Sequence, residues 1–157
     1  MKKISLFLLT GCLILAACNP SLDVFEKNVS LPLQQWQAEF KPQLSFSITD
    51  TIALYNIFVV IRHTDAYRYN NMWIRATVEQ PGDSALRTQQ YDITLASNDK
   101  GWFGSAMDDI YEHRALIQPQ TKFKRQGEYH FTLEQTMRED PLQHVLNVGI
   151  RVEKVKS

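Results

Sequence analysis

Apolar and polar residues alternate repeatedly along this chain, and this pattern constrains its fold more than any other feature. In residues 43 to 49, Leu44, Phe46 and Ile48 share one parity, while the residues between and after them carry hydroxyl groups. Because successive side chains of a strand point to opposite faces, such alternation is typical of a half-buried β-strand. The same pattern returns at residues 72 to 79, 91 to 95, 127 to 134 and 145 to 152. In the last of these, Leu146, Val148, Ile150 and Val152 are expected to face inward.

A second kind of strand is indicated by the run YNIFVVIRH, residues 55 to 63. It is β-branched, aromatic and almost continuously apolar, which predicts a strand buried on both faces in the middle of the fold. Pro81-Gly82-Asp83-Ser84 predicts a turn, since proline fixes one φ and glycine supplies another. Residues 97 to 104, SNDKGWFG, read as a loop. Residues 110 to 117 fit a helical turn nearly as well as a strand, and we expect them to be extended.

These segments together predict the fold class. About seven or eight strands with turn signals every 8 to 12 residues, and no long amphipathic helix, favour a single antiparallel β-sandwich. The pattern does not separate an Ig-like topology from a jelly roll.

The N-terminus has the organisation of a secretion signal. Lys2 and Lys3 precede an apolar stretch from Ile4 to Ala16, which is too short for a membrane-spanning helix. It ends in Leu-Ala-Ala-Cys, which resembles the lipobox of bacterial lipoproteins, in which the cysteine receives the lipid and becomes the new N-terminus. The alternative is an ordinary secretory signal with an incidental cysteine. We therefore expect a removed signal at 1 to 17, a lipidated tether at 18 to 22 beginning with Cys18, and a β-sandwich domain at 23 to 157.

The mature chain would have 140 residues, which suits one domain. It would carry 15 Lys and Arg against 17 Asp and Glu. The nearest approach to a basic cluster is Lys122, Lys124 and Arg125, which we interpret as a solvated loop, so no nucleic-acid partner is predicted. Cys12 would leave with the signal and Cys18 would be acylated, so no disulfide is expected.

Residues that could carry chemistry are few. None of the histidines, His63, His113, His130 and His144, has a metal-ligand spacing, and each is expected at a strand end or on the surface. The acid–histidine neighbourhoods are His63 with Asp65, and His113 with Asp108, Asp109 and Glu112. The chain contains no nucleophile elbow, phosphate loop or dinucleotide fingerprint. We predict no catalytic residue, no metal, no cofactor and no enzymatic activity.

An aromatic segment is the better candidate for binding. Residues 67 to 73, YRYNNMW, place three aromatic rings and an arginine in the predicted connection between two strands, and such residues are enriched at interface hot spots. The alternative is that Tyr67 and Tyr69 close the end of the core. Trp102, between two glycines with Phe103, could likewise form a lid or a plug. The candidate interaction surface is Tyr67, Arg68, Tyr69, Asn70, Asn71, Trp73 and Trp102.

Several of these segments together resemble one family. The lipobox, YNIFVVIRHTDAYRYNNMW, GWFG, GEYHFTLEQTMR and NVGIRVEK occur in an order similar to that of the gliding-motility lipoprotein GldH family of the Bacteroidetes. The resemblance spans nearly the whole mature chain. It implies a non-enzymatic, lipid-anchored envelope protein, and Cys18 is the one functional residue that it transfers.

The resemblance also bears on location and partners. Surface-exported lipoproteins of this group tend to carry dense acidic residues after the cysteine, whereas Asp23 and Glu26 are isolated here. We therefore expect the periplasmic face of the outer membrane. Three functions fit the sequence, and each predicts a different structural feature. A structural or assembly component predicts a protein partner, and a glycan-binding sandwich predicts a concave aromatic platform near Trp73 and Trp102. A hydrolase predicts a pocket with converging carboxylates or histidines.

Overall fold

The computed structural model describes residues 24–156, which form an antiparallel β-sandwich. A single 3-10 turn, Pro32–Gln34, follows the first strand. The strands are β1 (Val24–Ser30), β2 (Gln35–Trp36), β3 (Gln43–Ile48), β4 (Tyr55–Thr64), β5 (Asn71–Gln80), β6 (Asp83–Thr94), β7 (Ala96–Ser97), β8 (Gly101–Trp102), β9 (Ser105–Met107), β10 (Ile110–Thr121), β11 (Gly127–Gln135), β12 (Leu142–Gln143) and β13 (Val145–Lys154).

Two main sheets pack face to face. The five-stranded sheet has the order β1-β13-β4-β10-β9, the four-stranded sheet has the order β3-β11-β5-β6, and the pairs β12-β2 and β7-β8 lie outside them. The buried side chains form one core cluster, in which Ile61 and Val148 come from the first sheet and Phe131 and Ile74 from the second. The predicted all-β sandwich is confirmed. The described residues contain more strands than predicted because five of them have only two or three residues.

The strand β4 is central, as predicted, but its two faces differ. Tyr55, Ile57, Val59 and Ile61 enter the core, whereas Asn56, Phe58 and Arg62 on the other face are half-buried. The expectation of burial on both faces is therefore met only in part.

An ion-pair network covers part of this outer face. Glu112 pairs with Arg62 and Arg114, and Glu26 pairs with Arg114 and Arg151. Val60 lies on the same face and is only 1% exposed, although it does not belong to the core cluster. Its neighbours on the adjacent strands are Arg114 and Gly149. The stems of long charged side chains cover apolar surface, which accounts for a buried valine on a face that is not a core.

Three local differences from the sequence predictions have physical causes. The strand β13 has a register shift between Val145 and Asn147, so Val145 is buried and Leu146, which was expected inward, is half-buried. The predicted loop 97 to 104 contains β8 and part of β7, which pair with each other. The strand β6 begins at Asp83, well before the alternation that predicted it. The sequence gives no sign of this first part, because residues 84 to 90 are exposed and show no apolar period.

The strands place the connections at two ends of the sandwich. Val24 pairs with Glu153, and Glu153 also pairs with Asn56. The start of β1 therefore lies at the same end of the sandwich as the loops 49–54 and 122–126. The β5–β6 turn lies there too, since the Arg125 Nη1 donates to the carbonyls of Pro81 and Gly82 at 3.1 and 2.7 Å. We call this the N-terminal end. The opposite, far end holds the connections 31–42, 65–70, 95–109 and 136–144. No helix among residues 24–156 has the length and apolarity to cross a bilayer.

Candidate binding surface

Two histidines from neighbouring strands meet at the far end. The Nε2 atoms of His63 on β4 and His113 on β10 are 2.9 Å apart, and the rings stack with centroids 4.9 Å apart. The Nδ1 of His63 lies 2.7 Å from the carbonyl oxygen of Thr64, which can only accept. The Nδ1 of His63 therefore donates, its Nε2 accepts, and the Nε2–H of His113 donates to it. This arrangement needs the His63 ring to be neutral, because its Nε2 must keep a lone pair to accept.

Burial favours the neutral form of both histidine rings. His63 is fully buried and His113 is 4% exposed. Burial lowers the pKa of both imidazoles, and the pKa of His113, which also faces His63, falls to about 4. Two protonated rings at this distance would repel each other without solvent to screen them. The pair therefore behaves as a packed, hydrogen-bonded part of the core near neutral pH.

Aromatic rings surround the histidine pair. The ring of His63 lies 4.5 Å from that of Trp102, 5.1 Å from that of Tyr67 and 5.8 Å from that of Tyr111, measured between centroids. We call these five residues the histidine cluster: His63, Tyr67, Trp102, Tyr111 and His113. Trp102 reaches it because the connection 95–109 folds closely onto β10. Gly104 allows this approach, since its φ is +86° and a Cβ there would stand 2.3 Å from the carbonyl oxygen of Glu112.

Tyr67 occupies the position that the plug interpretation predicts. It is 3% exposed, its hydroxyl donates to the carbonyl of Asn71 at 3.0 Å, and burial raises its pKa above the ordinary range. Tyr69 packs edge-on against it with ring centroids 5.7 Å apart, but is half-buried. The hydroxyl of Tyr69 donates to the carboxylate of Glu139, and this hydrogen bond raises the pKa of Tyr69. The two tyrosines therefore differ in role, with Tyr67 inside and Tyr69 at the rim.

A groove opens beside Tyr69 on the four-stranded sheet. It has a volume of about 430 Å³, and Trp73, which is 38% exposed, forms one wall. The Trp73 backbone N–H donates to the Met137 sulfur at 3.3 Å, and the Trp73 carbonyl accepts from the Thr136 N–H at 3.0 Å, so the wall is held to the segment after β11. We call this the Trp73 groove, and it is lined by Tyr69, Asn71, Trp73, Gln90, Thr136, Met137 and Arg138.

The structure divides the predicted interaction surface. Tyr69, Asn71 and Trp73 line the groove, whereas Tyr67 and Trp102 belong to the histidine cluster. Two predicted residues belong to neither. Arg68 is exposed, and its Nη1 lies 3.9 Å from the Oε1 of Glu139. The Asn70 carbonyl accepts hydrogen bonds from the N–H groups of Leu95 and Ala96. Trp73 and Trp102 therefore do not share a platform.

Sequence reasoning missed the groove residues Gln90, Met137 and Arg138, because they lie on or beyond other strands. It also placed each histidine at a strand end or on the surface; His63 is next to the last residue of β4, but both His63 and His113 are buried and bond to each other instead of to the nearby carboxylates. Among residues 24–156, no three His, Cys, Asp or Glu side chains lie close enough together to hold a metal ion.

The fold and the groove define the class as a small antiparallel β-sandwich with an aromatic groove at one end. The chain belongs to the GldH lipoprotein family, which it matches over residues 23–152. It is 24% identical over 158 residues to the gliding motility lipoprotein GldH homolog of Christiangramia forsetii, covering 96% of this chain and 95% of that protein. It is 27% identical over 160 residues to the gliding motility lipoprotein GldH of Flavobacterium johnsoniae, covering 97% of each.

Among solved structures, the chain is similar to the VP2 protein of an infectious bursal disease virus subviral particle, with a TM-score of 0.38 and 15% identity. The likeness covers 84% of this chain but only 32% of that one.

Proposed function

We propose that this chain is a non-enzymatic lipoprotein of a gliding machinery, anchored by Cys18 to the periplasmic face of the outer membrane, and that it binds an envelope protein partner through the Trp73 groove. The relatives named above are gliding motility lipoproteins, which supports the general role. Cys18 lies outside the described residues, and its lipidation rests on the Leu-Ala-Ala-Cys sequence.

The observation that carries the binding proposal is the Trp73 groove. Trp73, Tyr69 and Met137 present apolar surface beside Arg138, and residues of these types are enriched at protein interfaces. The groove lies at the far end, away from the start of β1, so an anchored domain would leave it accessible.

The contacts of the titratable groups support a non-enzymatic role. The histidines bond to each other in the core, and the Glu112 carboxylate is held by two arginines on the opposite side of its strand. A general base would need a free nitrogen or oxygen facing a substrate. Of the acid–histidine neighbourhood of His113, the Glu112 carboxylate is engaged in ion pairs and the His113 ring in packing, whereas Asp108 and Asp109 are exposed and are not in contact with the buried ring.

The test is crosslinking in native envelopes. A photo-crosslinking amino acid replacing Trp73 is expected to capture a discrete protein partner, because this position forms the wall of the groove. The matched control places the same group at Leu86, which is 63% exposed on β6 and outside the groove. Equal capture from both positions, or none from Trp73, would refute the binding proposal.

Glycan binding is the second candidate, and one observation favours it. Asn71 and Gln90 place amide groups in the groove beside the exposed ring of Trp73, an arrangement that suits stacking against a sugar. Titrating the protein with peptidoglycan fragments would quench or shift the tryptophan fluorescence if a sugar stacks there, and Trp73→Phe would reduce the change. If Trp73→Phe leaves the change intact, the sugar does not bind at this groove.

A further inference from the structure

The loops at the two ends of the sandwich carry opposite charge. At the N-terminal end, the segments 49–54, 81–82, 122–126 and 155–156 contain four basic residues and one carboxylate. That carboxylate, Asp50, pairs with Lys154 at 2.8 Å. At the far end, the connections 31–42, 65–70, 95–109 and 136–144 contain seven carboxylates and four basic residues. The loops of a chain with almost no net charge therefore differ in charge between the two ends, although Asp83 and Glu128 border the basic loops.

The basic residues of the N-terminal end include two unpaired lysines. Lys122 and Lys124 are exposed and form no ion pair with any residue in 24–156. Phe123 between them is 5% exposed and packs against Tyr55 and Tyr129, with ring centroids 5.3 and 4.7 Å away. Because the phenylalanine is fixed in the core, both neighbouring lysines must project outward.

The same end displays an apolar turn. Ile52 is 86% exposed and Leu54 is 38% exposed. The turn is ordered by Asp50, whose carboxylate accepts from the N–H groups of Ile52 and Ala53 at 2.9 and 3.1 Å. The hydrogen bond from Lys154 and those from the backbone lower the pKa of Asp50 to about 2, so it stays ionised. A large aliphatic side chain is thus held in solvent on a well-defined turn.

Chain length brings this end to the bilayer. Five residues separate Cys18 from Val24, the first residue of β1 that the structure describes. At about 3.3 to 3.6 Å per residue, they span at most about 20 Å in any conformation. If Cys18 is acylated, the N-terminal end therefore lies within that distance of the lipid headgroups.

We propose that the N-terminal end docks directly on an anionic phospholipid surface, with Ile52 entering the interface and Lys122 and Lys124 contacting phosphate groups. The inference rests on the proposed anchoring through Cys18 and adds a second contact with the same bilayer. Basic side chains are attracted to anionic lipid surfaces, and an exposed apolar side chain gains by burial among the acyl chains. Docking would direct the Trp73 groove away from the membrane.

The experiment uses the full lipidated protein in vesicles of phosphatidylethanolamine and phosphatidylglycerol with brominated acyl chains as quenchers. An environment-sensitive fluorophore is placed on Ile52→Cys. The matched control is Leu33→Cys, because Leu33 is also 86% exposed but lies at the far end. Quenching is expected at position 52 and not at position 33. Vesicles of phosphatidylcholine alone should quench position 52 less.

Charge reversal tests the electrostatic part. Lys122→Glu with Lys124→Glu is expected to reduce the equilibrium constant for docking by at least about fivefold for each lysine, because each change removes a positive charge and adds a negative one. Equal quenching at positions 52 and 33, or quenching at position 52 that charge reversal leaves unchanged, would overturn the docking proposal. Sedimentation distinguishes failure of docking from failure of the proposed anchoring. Protein that sediments with the vesicles but shows no quenching at position 52 is anchored and not docked. Protein that stays in the supernatant lacks the anchor.

Discussion

Tyr67 and Tyr69 are two residues apart, yet they have different surroundings and we expect different effects from their truncation. Tyr67→Ala should lower the free energy of unfolding by about 3 to 5 kcal/mol, as for other buried large aromatics, because Tyr67 is 3% exposed. Tyr69→Ala should change the melting temperature much less and should reduce partner capture at the Trp73 groove. Thermal unfolding and crosslinking on the same proteins measure both quantities. A large stability loss in Tyr69→Ala with intact capture would exclude Tyr69 from the interface.

Val60 and Val148 allow a comparison of two kinds of burial. Both are at most 1% exposed, but Val148 belongs to the core cluster and Val60 lies on the face with the ion-pair network. Truncating either to Ala should cost about 1 to 3 kcal/mol. Chemical denaturation measures the change. We expect the cost at Val60 to be at the lower end, since flexible arginine stems can settle into the space, and an equal cost at both sites would show that they cannot.

At the scale of the elements, the strands β4 and β10 share the histidine pair, which makes the stability of the sandwich depend on pH. The folded state depresses the pKa of both histidines below the ordinary 6.5, with that of His113 at about 4. The unfolded chain therefore takes up protons first as the pH falls. The contribution of the pair is fully present above about pH 6.5 and decreases as the pH falls from there towards about 4.

The measurement is the free energy of unfolding as a function of pH. His113→Gln should have a shallower slope than the unmodified protein between about pH 6.5 and 4, because one depressed pKa is removed while the amide can still donate to His63. The matched control, His130→Gln, alters an exposed histidine on β11 and should keep the original slope. An unchanged slope in His113→Gln would contradict this account.

Strands with one buried face could be predicted from sequence because their period is local. In β3, β5 and β11, the inward residues alternate without interruption, as Phe46, Ile74 and Phe131 illustrate. The first part of β6 could not be predicted, since no second sheet covers residues 84 to 90 and burial imposes no pattern there. The strand β1 was missed for a related reason: its residues are half-buried or exposed, and its position depends on pairing with β13, far away in sequence.

The candidate site was less predictable than the strands because it is assembled from distant segments. His63 and His113 are 50 residues apart, and only the β4–β10 register brings them together. Trp73 and Met137 meet in the same way, through a hydrogen bond between segments 64 residues apart. The aromatic segment 67 to 73 could be identified locally, but which of its rings point inward depends on how the connection packs.

At the scale of the whole molecule, the proposed membrane attachment depends on one residue. Cys18→Ser should abolish lipidation and membrane attachment, because the hydroxyl cannot replace the thiol that receives the lipid. Incorporation of a labelled fatty acid and membrane fractionation measure both effects. Cys12→Ser is the matched control, since that cysteine lies inside the predicted signal and should leave lipidation intact. Persistent acylation of the Cys18→Ser protein would refute the anchor assignment.

The pairing of β1 has a mechanical consequence. A load between a lipid at Cys18 and a partner at the far end would pull β1 from its start while the rest of the sandwich is held at the opposite end. The seven register pairs from Val24 with Glu153 to Ser30 with Asn147 run along this direction. Their hydrogen bonds would be sheared together instead of being unzipped one at a time, so β1 would resist tension if the chain is anchored at Cys18.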